Sequence, residues 1–147
     1  MTTSAHTIAK FIIQKSVTPI SNLKLQKLLY YVQGWHLGLY GPPVFNEQIQ
    51  AWIHGPVVPA VFQSYRQFKW TPIPADYGPV KVDKDTADHV IAILGAFGKL
   101  SAAQLEAISH KEAPWIEARK GIEPNCPSTS VITHDSMRRF FGKLANE

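Results

Sequence analysis

The sequence predicts a mainly α-helical fold with a small β element, a single compact domain over residues 1–147 made of about six or seven helices. Three observations point there. Apolar residues recur three and four positions apart through most of the chain, the spacing of one buried helix face. Strict alternation is confined to one short stretch, QIQAWI at 48–53. A chain of 147 residues with 45% hydrophobic and 18% charged content is folded rather than disordered. At that size it buries roughly two thirds of its unfolded surface and needs no covalent staple.

The elements follow in order. SAHTIAKFIIQK, residues 4–15, opens on Ser4 as a helix cap and carries Ile8, Phe11 and Ile12 at helical spacing. TPISN interrupts it, with Thr18-Pro19 suited to starting the next helix. That second helix covers 23–40 and is ended by Gly41. Leu25, Leu28, Leu29, Val32, Trp35, His36 and Leu39 share its apolar face, while Lys24, Lys27 and Tyr31 fall towards the other. Gly34 and Gly38 sit four apart on one face, although each costs up to about 1 kcal/mol against alanine inside a helix. Either another backbone packs closely on them or the last turn bends; close packing, by the segment around 52–56, is the expectation.

GPPVFNE is a loop, and Ile49, Ala51 and Ile53 then alternate with Gln48, Gln50 and Trp52 as a strand. A turn at Gly55-Pro56 leads to a helix with Val58, Val61, Phe62 and Tyr65 inward. The proline-rich stretch from about 69 to 85 reads as a variable loop, with a second strand at 80–82. A fourth helix covers 86–97, and Ser101 with Gln104 forms a capping box for a fifth, SAAQLEAISH. Pro114 opens a short sixth, PWIEARK, stopped by Gly121. After IEPNCPSTS a last helix begins near Thr133 and carries Met137, Phe140 and Phe141.

Bulk properties narrow the function classes. The single cysteine, Cys126, excludes an intrachain disulfide and fits a reducing compartment. No leader pattern and no apolar run of membrane-spanning length is present, so the expectation is a cytoplasmic protein with no membrane partner. Net charge is +4, and residues 1–70 hold six Lys/Arg against one acid, Glu47. The scattered bases read as a solvated rim ahead of a nucleic-acid surface. A DNA-binding or regulatory role would use Lys10, Lys15, Lys24, Lys27, Arg66 and Lys69, with Tyr30, Tyr31 and Trp70 for stacking.

Catalytic signatures are scarce. No metal-ligand spacing, phosphate-cradling glycine loop or nucleophile elbow occurs, so no metal, cofactor or catalytic residue is assigned. His110 with Glu106 or Glu112 is the one carboxylate–imidazole pairing that would serve a hydrolase-like enzyme. A histidine capping its helix end, where its charge suits the dipole, is the favoured reading.

Residues 25–65, LQKLLYYVQGWHLGLYGPPVFNEQIQAWIHGPVVPAVFQSY, resemble the Panacea domain of SocA-like antitoxins and phage-associated proteins. The distinctive parts are LQKLLYY at 25–31, Gly34-Trp35-His36, and A-W-x-x-G-P-V at 51–57. LSAAQLEAISHKEAPWIEAR, residues 100–119, resembles the family's second block, with Ser109 where a threonine is common. The resemblance implies a non-enzymatic antitoxin that neutralises a cognate toxin, encoded next door, by direct protein–protein binding. Delivery of that toxin to a protease is a further implied route. Gln26, Tyr30, Gly34, Trp35, Trp52, Gly55, Pro56, Pro114 and Trp115 are expected to be architecture. Lys27, Tyr31, His54 and His110, beside the signature turns, and Trp70 and Tyr77, in the variable loop, are the candidate partner-binding residues.

Overall fold

The computed structural model describes residues 2–75 and 78–147. Its elements are α1 (Ala5–Lys15), α2 (Asn22–Tyr40), β1 (Ile49–Trp52), β2 (Gly55–Val57), α3 (Pro59–Ser64), a 3-10 turn (Arg66–Phe68), α4 (Lys84–Phe97), α5 (Ala102–Ser109), α6 (Ala113–Ala118), β3 (Val131–Ile132) and α7 (His134–Ala145). Seven helices and one small sheet bear out the expected class. Ser4, Ser21, Asp83, Ser101 and Thr133 each cap a helix by accepting from the amide three residues on. The Ser101–Gln104 box is reciprocal. Thr18-Pro19 does not start α2. Ser21 does, its Oγ accepting from the Lys24 amide at 3.3 Å.

α2 is the axis of the molecule, with α1, α4, α5, α7 and β2 all packed on it. An amphipathic reading presumes one solvent face, and a helix enclosed on most sides has none. Gln26, Lys27, Tyr31 and Gln33 are therefore buried, contrary to the expectation for Lys27 and Tyr31. Two buried amides tie α2 to its surroundings. Gln33 donates to Phe45 O at 2.7 Å and accepts from Val44 N at 2.8 Å. Gln26 accepts from Val58 N at 2.9 Å and donates to Asn22 at 2.8 Å, fixing the entry into α3. Near the C-terminus of α2, Leu37 is buried and Leu39 is exposed, the reverse of the expected placement of Leu39. Gly41, at φ 98°, ends the helix as expected.

The close neighbour of Gly34 and Gly38 is α7, not the segment at 52–56. A Cβ on Gly34 would collide with the Phe141 ring, and one on Gly38 would lie 2.6 Å from Gly142 N. The two glycines thus admit α7 at backbone distance, with Phe141 wedged over them. Tyr30, Tyr31 and Trp35 meet that ring at centroid distances of 5.7, 6.1 and 5.2 Å.

The sheet runs in the order β2-β1-β3, all antiparallel, with Trp52 opposite Gly55 and Ile49 opposite Ile132. Gly55-Pro56 is not the turn: it lies in β2, and Ile53-His54 forms the two-residue connection. Proline is tolerated there because β2 is an edge strand. Residues 80–82 form no strand; the third strand is Val131–Ile132, too short to register as alternation. Among the described residues no single helix is long and apolar enough to cross a membrane.

Candidate functional site at the hairpin

The β1–β2 hairpin lies over a buried polar layer contributed by α2, α5 and α6. A Cβ on Gly55 would stand 2.8 Å from Lys27 Cε and 3.1 Å from Ser109 Oγ, so the strand rests directly on the Lys27 stem. Gly55 also has φ 108°, which side-chain-bearing residues rarely adopt. Lys27 is 1% exposed, and its Nζ has no hydrogen-bond partner among the described residues. Burial pulls its pKa down to about 8, against the opposing pull of Glu106. Glu112, at the N-cap of α6, accepts from Tyr30 at 3.0 Å and Tyr31 at 3.1 Å, both on Oε1. Burial pushes this carboxyl up to about 7, although the two hydroxyls favour its charged form. Burial and the neighbouring carboxylate push both tyrosines well above the usual phenol range.

Trp115 links this layer to the sheet. Its Nε1 donates to Trp52 O at 2.9 Å, His110 stacks on it at 4.2 Å, and the Arg119 guanidinium lies 5.0 Å from its ring. His110 is the C-cap residue of α5, as expected. Burial chiefly lowers its pKa, and Lys27 and His54 pull the same way. Glu112 turns to the tyrosines and His110 stacks on Trp115, while Glu106, the other carboxylate of the enzyme reading, pairs with His54 and bears on His110 through its charge. Arg119, 4% exposed, donates to Ala51 O at 2.9 Å and to the carbonyls of Glu123 and Cys126. That clamp holds the 122–130 loop against β1.

Above the layer, the hairpin tip is open. His54 pairs with Glu106 at 3.2 Å, and its ring centroid lies 6.2 Å from that of Trp70, which is 65% exposed. Trp52 packs on Phe62 at 5.0 Å and donates to Gln50 at 2.9 Å. Between them and residues 127–129 lies a pocket of about 260 Å³ with Leu23, Val57 and Lys69 also in its wall. Of the partner-binding candidates, His54 and Trp70 come together at this surface. Lys27 and Tyr31 lie beneath it, and His110 is half-buried with its Nε2 unpartnered among the described residues. Tyr77 lies outside the described residues. The sequence reading missed Pro127–Thr129, which reach the pocket only because β3 returns the chain to β1. Among the described residues no group of three or more His, Cys, Asp or Glu is placed to hold a metal.

The sequence model of the Antitoxin SocA-like, Panacea domain family matches residues 25–116. The chain belongs to this family. A curated relative, Antitoxin SocA of Caulobacter vibrioides (strain NA1000 / CB15N), is 33% identical over 127 residues, covering 76% of this chain and 68% of that one. No solved structure matches. The Panacea match runs from the buried start of α2 into α6 and so contains the hairpin, its polar layer and the Trp115 link. The helices α1 and α7 and strand β3 lie outside it. Of the expected architectural residues, Gln26, Tyr30, Gly34, Gly55, Pro56, Pro114 and Trp115 are buried in this Panacea domain, and Trp35 and Trp52 are half-buried. Tyr30 and Tyr31 are thereby withdrawn from any stacking surface for nucleic acid, and Lys27 from any phosphate contact.

Proposed function

We propose that this Panacea-domain chain is an antitoxin, a non-enzymatic cytosolic protein that works as one domain over residues 1–147. It neutralises a cognate toxin, encoded next door, by binding it directly. The observation that carries this reading is family membership over 25–116 together with 33% identity to a curated antitoxin. The hairpin surface supports a binding role, because a rigid, hydrogen-bonded platform presents His54 and the exposed Trp70, and aromatic residues on such platforms dominate protein interfaces.

The test is co-purification of the neighbouring gene's product with the tagged chain at about 0.1 M and about 0.5 M salt. A packed protein interface survives the change, whereas binding to a duplex weakens steeply as counterions return to the phosphates. Cellular toxin level, followed in the same strain, separates the two routes: blocking leaves it unchanged, and delivery to a protease lowers it. Retention of DNA in place of the neighbour, lost at the higher salt, refutes the reading.

A further inference from the structure

We propose that the pocket beside the β1–β2 hairpin receives one large apolar side chain from an acidic segment of the partner protein. A carboxylate next to that side chain pairs with Lys69. The inference rests on the toxin-binding reading and specifies the chemistry of the surface recognised.

Size is the first argument. At about 260 Å³ the pocket falls below the roughly 300–1,000 Å³ of small-molecule and cofactor sites, and is on the scale of a single anchoring side chain. Its walls are the second. Leu23, Val57 and the faces of Trp52 and Phe62 offer little for a polar ligand to satisfy, and Trp52 is held by its bond to Gln50 and its packing on Phe62. A fixed apolar socket costs little entropy on binding, which is the arrangement of an interface hot spot.

Charge chooses the class of partner. No carboxylate lines the pocket, whereas Lys69 does. Glu106 is engaged by His54, and no ion pair to Lys69 occurs among the described residues. The sole acid of residues 1–70, Glu47, is held at the start of α1 by the Ala5 amide at 3.0 Å. An approaching carboxylate therefore meets an uncompensated ammonium at the rim, with the exposed Trp70 beside it to cover the contact from water.

The test titrates the full isotopically labelled chain with two small probes, N-acetyl-tryptophan as its carboxylate and N-acetyl-tryptophanamide, read by amide and indole NMR shifts. The expected result is saturable shifts at Trp52, His54, Val57 and Lys69, with the carboxylate bound about fivefold tighter than the amide. Lys69→Glu removes that preference, and Thr129→Trp, which fills the pocket from its exposed rim, removes binding of both. Leu39→Arg, on a remote exposed position, leaves both unchanged. Shifts that avoid these residues, or equal binding of the two probes by the parent chain, overturn the proposal. Co-purification with the neighbouring gene product separates it from the antitoxin reading. Undiminished capture by well-folded Lys69→Glu and Thr129→Trp chains overturns the pocket while the antitoxin reading stands. Probe binding as described, with a neighbour that is harmless and not captured, supports the pocket while the antitoxin reading falls.

Discussion

The Glu112 carboxylate accepts a hydrogen bond from the Tyr31 hydroxyl at 3.1 Å, joining the start of α6 to a helix 81 residues earlier in the chain. Tyr30 reaches the same oxygen from the adjacent position of α2. The pair of bonds docks the 100–119 block of the chain onto the 25–31 block.

That carboxyl makes stability depend on pH. Burial pushes the folded-state pKa of Glu112 up to about 7 from the ordinary 4.5, so the folded state holds its proton longer. The stability associated with the neutral form is complete below 4.5 and is lost as pH rises from 4.5 through 7, by up to about 3 kcal/mol. Glu112→Gln keeps an acceptor for the tyrosines and removes the titration. Denaturant melts at pH 5 and pH 8 are expected to show the variant gaining on the parent chain as pH rises.

Lys27 acts in a different window. Burial brings its folded pKa down to about 8 from the ordinary 10.5, so stability is lost as pH falls from 10.5 to 8 and is constant beneath. Lys27→Met keeps the stem under Gly55 and removes the buried charge. At pH 7 it is expected to raise unfolding free energy by about 1–3 kcal/mol, an advantage that shrinks towards pH 10.5. A less stable variant at pH 7 would refute the reading of Lys27 as an uncompensated charge.

The α2–α7 contact predicts an inverted alanine effect. In an exposed helix Gly→Ala gains up to about 1 kcal/mol. Gly34→Ala puts a methyl group into the Phe141 ring and is expected to lose about 1–3 kcal/mol instead. Phe141→Leu in that background is expected to recover part of the loss, a non-additive coupling that a double-mutant cycle measures.

Arg119 predicts a local effect. It is the shared donor to Ala51, Glu123 and Cys126, so Arg119→Met frees the 122–130 loop from β1. A loss of about 2–3 kcal/mol is expected, with limited proteolysis appearing first in that loop.

Much of the fold was legible in the sequence because it is written in local signals. Caps such as Ser4 and the Ser101–Gln104 box, the Gly41 stop and the apolar spacing of α1 and α4 all mark helices without reference to the rest of the chain. Thr18-Pro19 and Gly55-Pro56 were local misreadings of turn residues, whereas the other errors share one physical origin, long-range contact. Lys27 and Tyr31 read as an outer face because periodicity cannot register that α2 is enclosed on several sides. The partner of Gly34 and Gly38 was misplaced because a close-approach glycine does not say which element approaches. β3 and the Pro127–Thr129 wall escaped notice because two strand residues carry no pattern. At the site, His54 and Trp70 were singled out by residue type and by position near the signature turn and in the variable loop, and they do meet. The Glu112–tyrosine link needed the fold.

The most direct test of the central claim is growth. The neighbouring gene is induced alone and then with this chain. The account predicts arrest in the first case and normal growth in the second, with the two proteins recovered as a complex. Arrest that persists in the presence of the soluble, folded chain, or a neighbour that is harmless by itself, would contradict it.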